Sequence, residues 1–202
     1  MFKEIFIGKP IAHFRLNPIV KSFIVSETFL WAAWNTNAPI FSIFAATQIP
    51  GGSAEVAAFV FSVHILVRVV FELASGRYLS QSSETKKFIT AIAGTSLLSI
   101  AYLGFSYTQT AIQLYFFAGL TGMGLGIATP AKNSLFSLHL DKSKESFEWG
   151  MYDATVFMAM ALAAIVGGFI ATNYGFPLLF QLAAVVNAIA IIPYFLYISK
   201  NK

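Results

Sequence analysis

Three ionisable side chains, His64, Arg68 and Glu72, recur every four residues inside an apolar stretch. That spacing puts them on one face of a helix, where Arg68 and Glu72 can pair along the axis. An imidazole titrating near about 6.5 can exchange a proton at working pH. Charge inside an apolar run is costly and usually faces a bundle interior or a wet cavity. The stripe therefore reads either as a site of proton coupling or substrate contact, or as a polar seam that docks another helix. A second face collects Glu27, Trp31, Trp34, Asn35 and Ala38, with Asn37 and the helix-bending Pro39 just beyond. An acid, two indoles and an amide on one face suit the wall of a solute cavity. Tryptophan also marks membrane interfaces, but these two sit well inside the apolar run.

Other polar residues have plainer readings. Glu148 and Asp153 fall where a helix begins, so they complement its dipole. Lys132 reads as an anchor that snorkels to headgroups, and Gln181 and Asn187 as inter-helix hydrogen bonds. Enzyme chemistry is not expected. There is no cysteine, no Gly-x-Ser-x-Gly elbow, and the histidines at 13, 64 and 139 lack metal-site spacing. No catalytic residue, metal site or cofactor is assigned.

The elements that carry these residues follow from composition. Hydrophobic residues make up 57% of the 202 and charged residues 11%, less than half the charge of an ordinary soluble domain. A bilayer core takes about 20 apolar residues per helix, so the length suits six short-looped spans. They are expected over 17–48, 55–79, 86–107, 111–138, 148–172 and 176–199, with residues 200–202 as a tail. Asn17-Pro18 opens the first as N-cap and first helical residue, and Pro39 predicts a kink within it. Residues 1–16 read as a basic tail or a short interfacial helix, and no cleavable leader is expected.

Lys and Arg resist translocation and so fix orientation. They collect near 1–21, 77–87, 132–144 and 200–202, while the three alternate loops hold none. Both termini are therefore expected in the cytoplasm. The net charge of +4 is read as orientation, with no nucleic-acid partner.

The fourth span resembles the glycine-rich fourth helix of the major facilitator superfamily, through Gly119, Gly122, Gly124, Gly126 and the Pro130-Ala131 pair. The stretch from Ala163 to Gly167-Gly168, followed by Tyr174-Gly175-Phe176 and Phe180, is similar to that family's fifth helix and the loop into the sixth. Gly76-Arg77 and Lys86-Lys87 resemble its loop after the second helix. Departures accompany these matches: Ala118 falls where an arginine is common, Ala163-Ala164 replace a Gly-Pro pair, and Ser80 replaces an aspartate.

The resemblance implies one six-helix repeat of a transporter that ordinarily pairs two. It implies a solute cavity lined by Glu27, Trp31, Trp34 and Asn35 opposite Thr121 and Thr129. It also implies tight helix packing at Gly122, Gly126, Gly167 and Gly168. The second helix of one half packs beside the fifth of the other in that family. Arg77 or Arg68 would then pair with Asp153 or Glu148 of a second protomer.

The expected protein is a half-size secondary transporter of a small solute in a bacterial or archaeal plasma membrane. It would work by alternating access as a parallel homodimer, with proton coupling as a further expectation. The alternatives are one half of a heteromeric carrier, completed by a second six-helix chain, and a non-transporting membrane subunit. Its partners are the lipid bilayer, the solute, and itself or that second chain.

Overall fold

The computed structural model describes residues 16–200. The expectations for residues 1–16 and for the last two residues lie outside it, Leu16 excepted. The described residues form α1 (Pro18–Asn37), a 3-10 turn (Ala38–Ile40), α2 (Phe41–Thr47), α3 (Ala54–Leu79), α4 (Glu84–Phe105), α5 (Ala111–His139), α6 (Glu145–Tyr174), α7 (Phe176–Ile189) and α8 (Ile192–Lys200). Five stretches are long and apolar enough to cross a membrane: α3, α4, α5, α6 and the α7–α8 pair. The α1–α2 pair is the remaining helical stretch of the bundle. The chain is an integral, multi-pass membrane protein.

Local chemistry sets the breaks. Asn17 accepts from the backbone of Ile19 at 2.9 Å, and Pro18 supplies the first helical residue, whose missing N–H costs nothing there. Ser53 and Ser83 cap α3 and α4, and Thr110 with Gln113 forms a reciprocal capping box on α5. Pro39 cannot donate to the carbonyl four residues back, so the first span tightens into the 3-10 turn and resumes as α2. Gly175, at φ 87°, makes the reversal between α6 and α7 that an L side chain resists.

Lipid gives helices little hydrophobic reason to associate, so small residues and polar bonds carry the packing. α5 sits against both α3 and α4, α1 against α6 and α7, and α4 against α7. A Cβ on Gly126 would meet the Arg68 carbonyl at 2.6 Å, and one on Gly94 would meet the Gly124 carbonyl at 2.5 Å. Asn187 of α7 donates to the Thr95 carbonyl and to Ser99 Oγ of α4, each at 2.8 Å. Ser26 donates to the Ala190 carbonyl at 2.6 Å, catching the carbonyl freed where α7 gives way to α8. Aromatic rings fill both ends of the bundle. Phe23 stacks among Phe88, Phe136 and Tyr194 at the lysine-rich end, and Phe180 among Phe44 and Phe105 at the other.

Two helices take part in this packing through one face only and leave most of their surface uncovered. In their apolar windows only 17% of α3 and 11% of α6 is buried, against 39–44% for the other three spans.

Candidate solute site and ion-pair hub

Glu27 makes four polar contacts with other side chains among the described residues. Its Oε1 takes an ion pair from Lys132 Nζ at 2.8 Å and a hydrogen bond from the Tyr194 hydroxyl at 3.3 Å. Its Oε2 accepts from the Trp31 indole at 3.1 Å and from the Tyr152 hydroxyl at 3.3 Å. One carboxylate thereby ties α1 to α5, α6 and α8. The Lys132 and Glu27 side chains are only 5% and 7% exposed, so each charge relies on its partner rather than on solvent. Lys132 is accordingly no headgroup anchor, because its ammonium is drawn inward by the carboxylate. The crevice beside the pair, floored by Phe136 and Trp149, holds about 10 Å³, room for a single water.

A cavity of about 700 Å³ lies toward the opposite end, between the α1–α2 break, the start of α3 and the facing turns of α4 and α5. That volume lies within the range of small-molecule sites. Trp34, Asn37 and Phe41 form one wall, His64 and Thr121 the other, and Tyr102 and Phe105 close the side. The Trp34 and His64 rings lie 5.0 Å apart between centroids. His64 Nδ1 lies 2.8 Å from Thr121 Oγ1, and that hydroxyl lies 2.7 Å from the Ala118 carbonyl.

Of the residues expected around a solute, Trp34 and Thr121 line this cavity, while Glu27 belongs to the hub and its crevice. Trp31 is engaged with Glu27, and the Asn35 amide donates to the Trp31 carbonyl at 3.0 Å. Trp31, Asn35 and Thr129 are not among the residues lining the cavity. Asn37, Phe41 and Tyr102 line it without having been expected there. For Asn37 the signal was its place beside Pro39. For Tyr102, on a helix not credited with cavity contact, there was none.

The stripe on α3 splits into two parts. His64 is buried and faces α5, whereas Arg68 and Glu72 pair with each other at 3.0 Å with side chains 26% and 38% exposed. Glu148 is fully buried, with Oε2 accepting from the Asp141 backbone at 2.8 Å, so one of its oxygens is held within its own chain. Its Oε1 has no hydrogen-bond partner. Arg77 and Asp153 are exposed. Gly122, Gly126 and Gly167 sit under neighbouring backbone, Gly122 against His64 and Gly167 against Thr36. Gly168 is the exception: a Cβ there would meet nothing within 4 Å, so it packs no helix in this chain.

No curated protein matches the chain in sequence. Among solved structures, the in meso crystal structure of the POT family transporter PepTSo matches with a TM-score of 0.80 at 17% identity. The match covers 91% of this chain and 38% of that one. The chain thus spans well under half the length of the transporter it resembles, and its fold is that of one six-helix portion. The family model described as Major Facilitator Superfamily matches residues 23–202. The chain belongs to the major facilitator superfamily.

Proposed function

We propose that this chain is one half of a secondary active transporter of a small solute, completed by a second copy as a parallel homodimer and working by alternating access. The observation that carries the reading is the cavity of about 700 Å³ on a bundle whose α3 and α6 are left largely unburied. A rocking carrier needs two six-helix halves around one site. Exposed apolar side chains along α3 and α6, among them Phe61, Leu66, Leu73, Phe157 and Leu162, supply a surface for the second half. Two-fold pairing would set α3 of each copy beside α6 of the other. The lysine-rich end of both copies, and with it both termini, would then face the cytoplasm.

Proton coupling is part of the proposal, and Glu27 is its best-placed carrier. Protonation would remove the charge that holds Lys132 and loosen the link from α1 to three other elements at once. His64, one hydrogen bond from Thr121, is the second carrier.

The test uses two tagged copies in native membranes, one carrying Ala74→Cys on α3 and the other Ala154→Cys on α6, both positions exposed. Oxidation is expected to give a reducible species containing both tags. Proteoliposomes holding only this chain should then accumulate solute under an inward proton gradient. Separate tags that never join, with both thiols reactive, would turn the reading toward a heteromeric carrier and a different second chain.

A further inference from the structure

We propose that the α1–α3–α5 cavity binds an uncharged, mainly apolar solute carrying a hydroxyl group, received by His64 Nε2. The inference deepens the transporter reading by naming the solute class of the same cavity. It begins from the charges. Among the described residues, no Asp, Glu, Lys or Arg lines the cavity. Glu27 and Lys132 neutralise each other in the hub, and Arg68 and Glu72 neutralise each other further along α3. A carboxylate, phosphate or ammonium entering this space would shed its hydration and find no counter-charge, a cost of several kcal/mol or more.

The hydrogen bonds then set the polarity of the receiving group. Thr121 has one hydroxyl proton, and it goes to the Ala118 carbonyl at 2.7 Å. With that assignment, its contact of 2.8 Å with His64 takes the Nδ1–H as donor and the Thr121 oxygen as acceptor. A neutral imidazole protonated at Nδ1 keeps a lone pair on Nε2. That atom has no hydrogen-bond partner among the described residues, and it is not among the buried unpartnered atoms. His64 itself lines the cavity. The Asn37 amide and the Thr47 hydroxyl donate to their own helices, to Ala33 and Ile43. The Trp34 indole N–H, on the ring beside His64, is likewise unpartnered among the described residues. An acceptor and a donor on adjacent rings match a hydroxyl, which donates to one and accepts from the other.

Three probes of similar shape separate the possibilities: 2-naphthol, 2-methoxynaphthalene, which cannot donate, and 2-naphthoate, which is anionic. Equilibrium dialysis of the full chain in neutral-lipid nanodiscs, blanked by empty nanodiscs, reads binding without requiring transport or dimerisation. Saturable binding of 2-naphthol is expected, with 2-methoxynaphthalene about tenfold weaker and no saturable 2-naphthoate. His64→Phe should bring 2-naphthol down to the level of the methoxy compound. Ala58→Phe, at an exposed lining position, should remove saturable binding of both. The probe comparison on the unaltered chain decides the matter even if His64→Phe fails to fold. Naphthoate binding as tightly as naphthol, binding indifferent to Ala58→Phe, or mere partitioning matched by empty nanodiscs would overturn the assignment. Saturable naphthol binding without any uptake would sink the transport reading and leave this one standing.

Discussion

At the scale of residues, the Glu27–Lys132 pair is the feature with the largest energetic stake. Both groups are withdrawn from solvent, so removing one partner leaves the other charge stranded, at a cost of about 3–5 kcal/mol. Glu27→Gln and Lys132→Met should each lower the unfolding midpoint in detergent sharply, and the double variant should recover most of the loss. Equal, additive losses would mean that the two side chains stabilise the bundle separately. Glu27 stood out in the sequence as an acid in an apolar helix, but it was read as part of a cavity wall rather than as half of an ion pair. The partner was not legible, because Lys132 lies more than a hundred residues away and sits where a snorkelling lysine would. The Tyr152 and Tyr194 hydroxyls, which complete the shell, look like any other aromatic residues of a membrane span. His64 shows the opposite balance. Its helical face was readable from spacing, while its lone-pair direction follows from the hydrogen bonds assigned around Thr121, 57 residues further along the chain.

At the scale of elements, the α3–α5 seam depends on glycine. A methyl at Gly122 would strike the His64 carbonyl, and one at Gly126 would meet the backbone of both Arg68 and Glu72. Gly122→Ala should therefore push α3 away, lengthen the His64–Thr121 contact and cost about 1–3 kcal/mol through overpacking. Gly168→Ala has open space around it and should instead stabilise α6 by about 0.5–1 kcal/mol, the ordinary helix preference for alanine. Thermal melts of the two variants in one detergent make the comparison, and a shift of equal size and sign in both would refute the assignment of the seam. The glycine pattern announced close packing, yet Gly167 and its neighbour Gly168 cannot be told apart without knowing which one faces Thr36. The Pro39 kink was readable for a simple reason: a missing N–H breaks a helix wherever it falls. The division of the last span at Ala190, just ahead of Pro193, follows the same rule.

At the scale of the whole molecule, the six-helix bundle was legible because apolar length and one-sided lysine placement are strong, local signals. The second half was not, because what completes a bundle is written on its outer faces, where lipid and protein select similar side chains. We propose one ion pair across that boundary. Glu148 is folded into its own chain and Arg68 is matched by Glu72, which leaves Arg77 on α3 and Asp153 on α6, both exposed. In a parallel dimer the two would face each other twice, once on each side of the axis. Arg77→Glu would then set two acids together in both contacts, and Asp153→Arg two bases. Either change should cut disulfide formation between the Ala74→Cys and Ala154→Cys copies about tenfold, an effect within the range of close charge couplings. The double reversal restores opposite signs at both contacts and should return the yield to within about threefold of the starting pair. Reduced yield in both single variants without recovery in the double would place these charges against headgroups rather than against each other. Cross-linking indifferent to all three would keep the α3–α6 surface apolar and leave the pairing of halves to the side chains between Phe61 and Leu73.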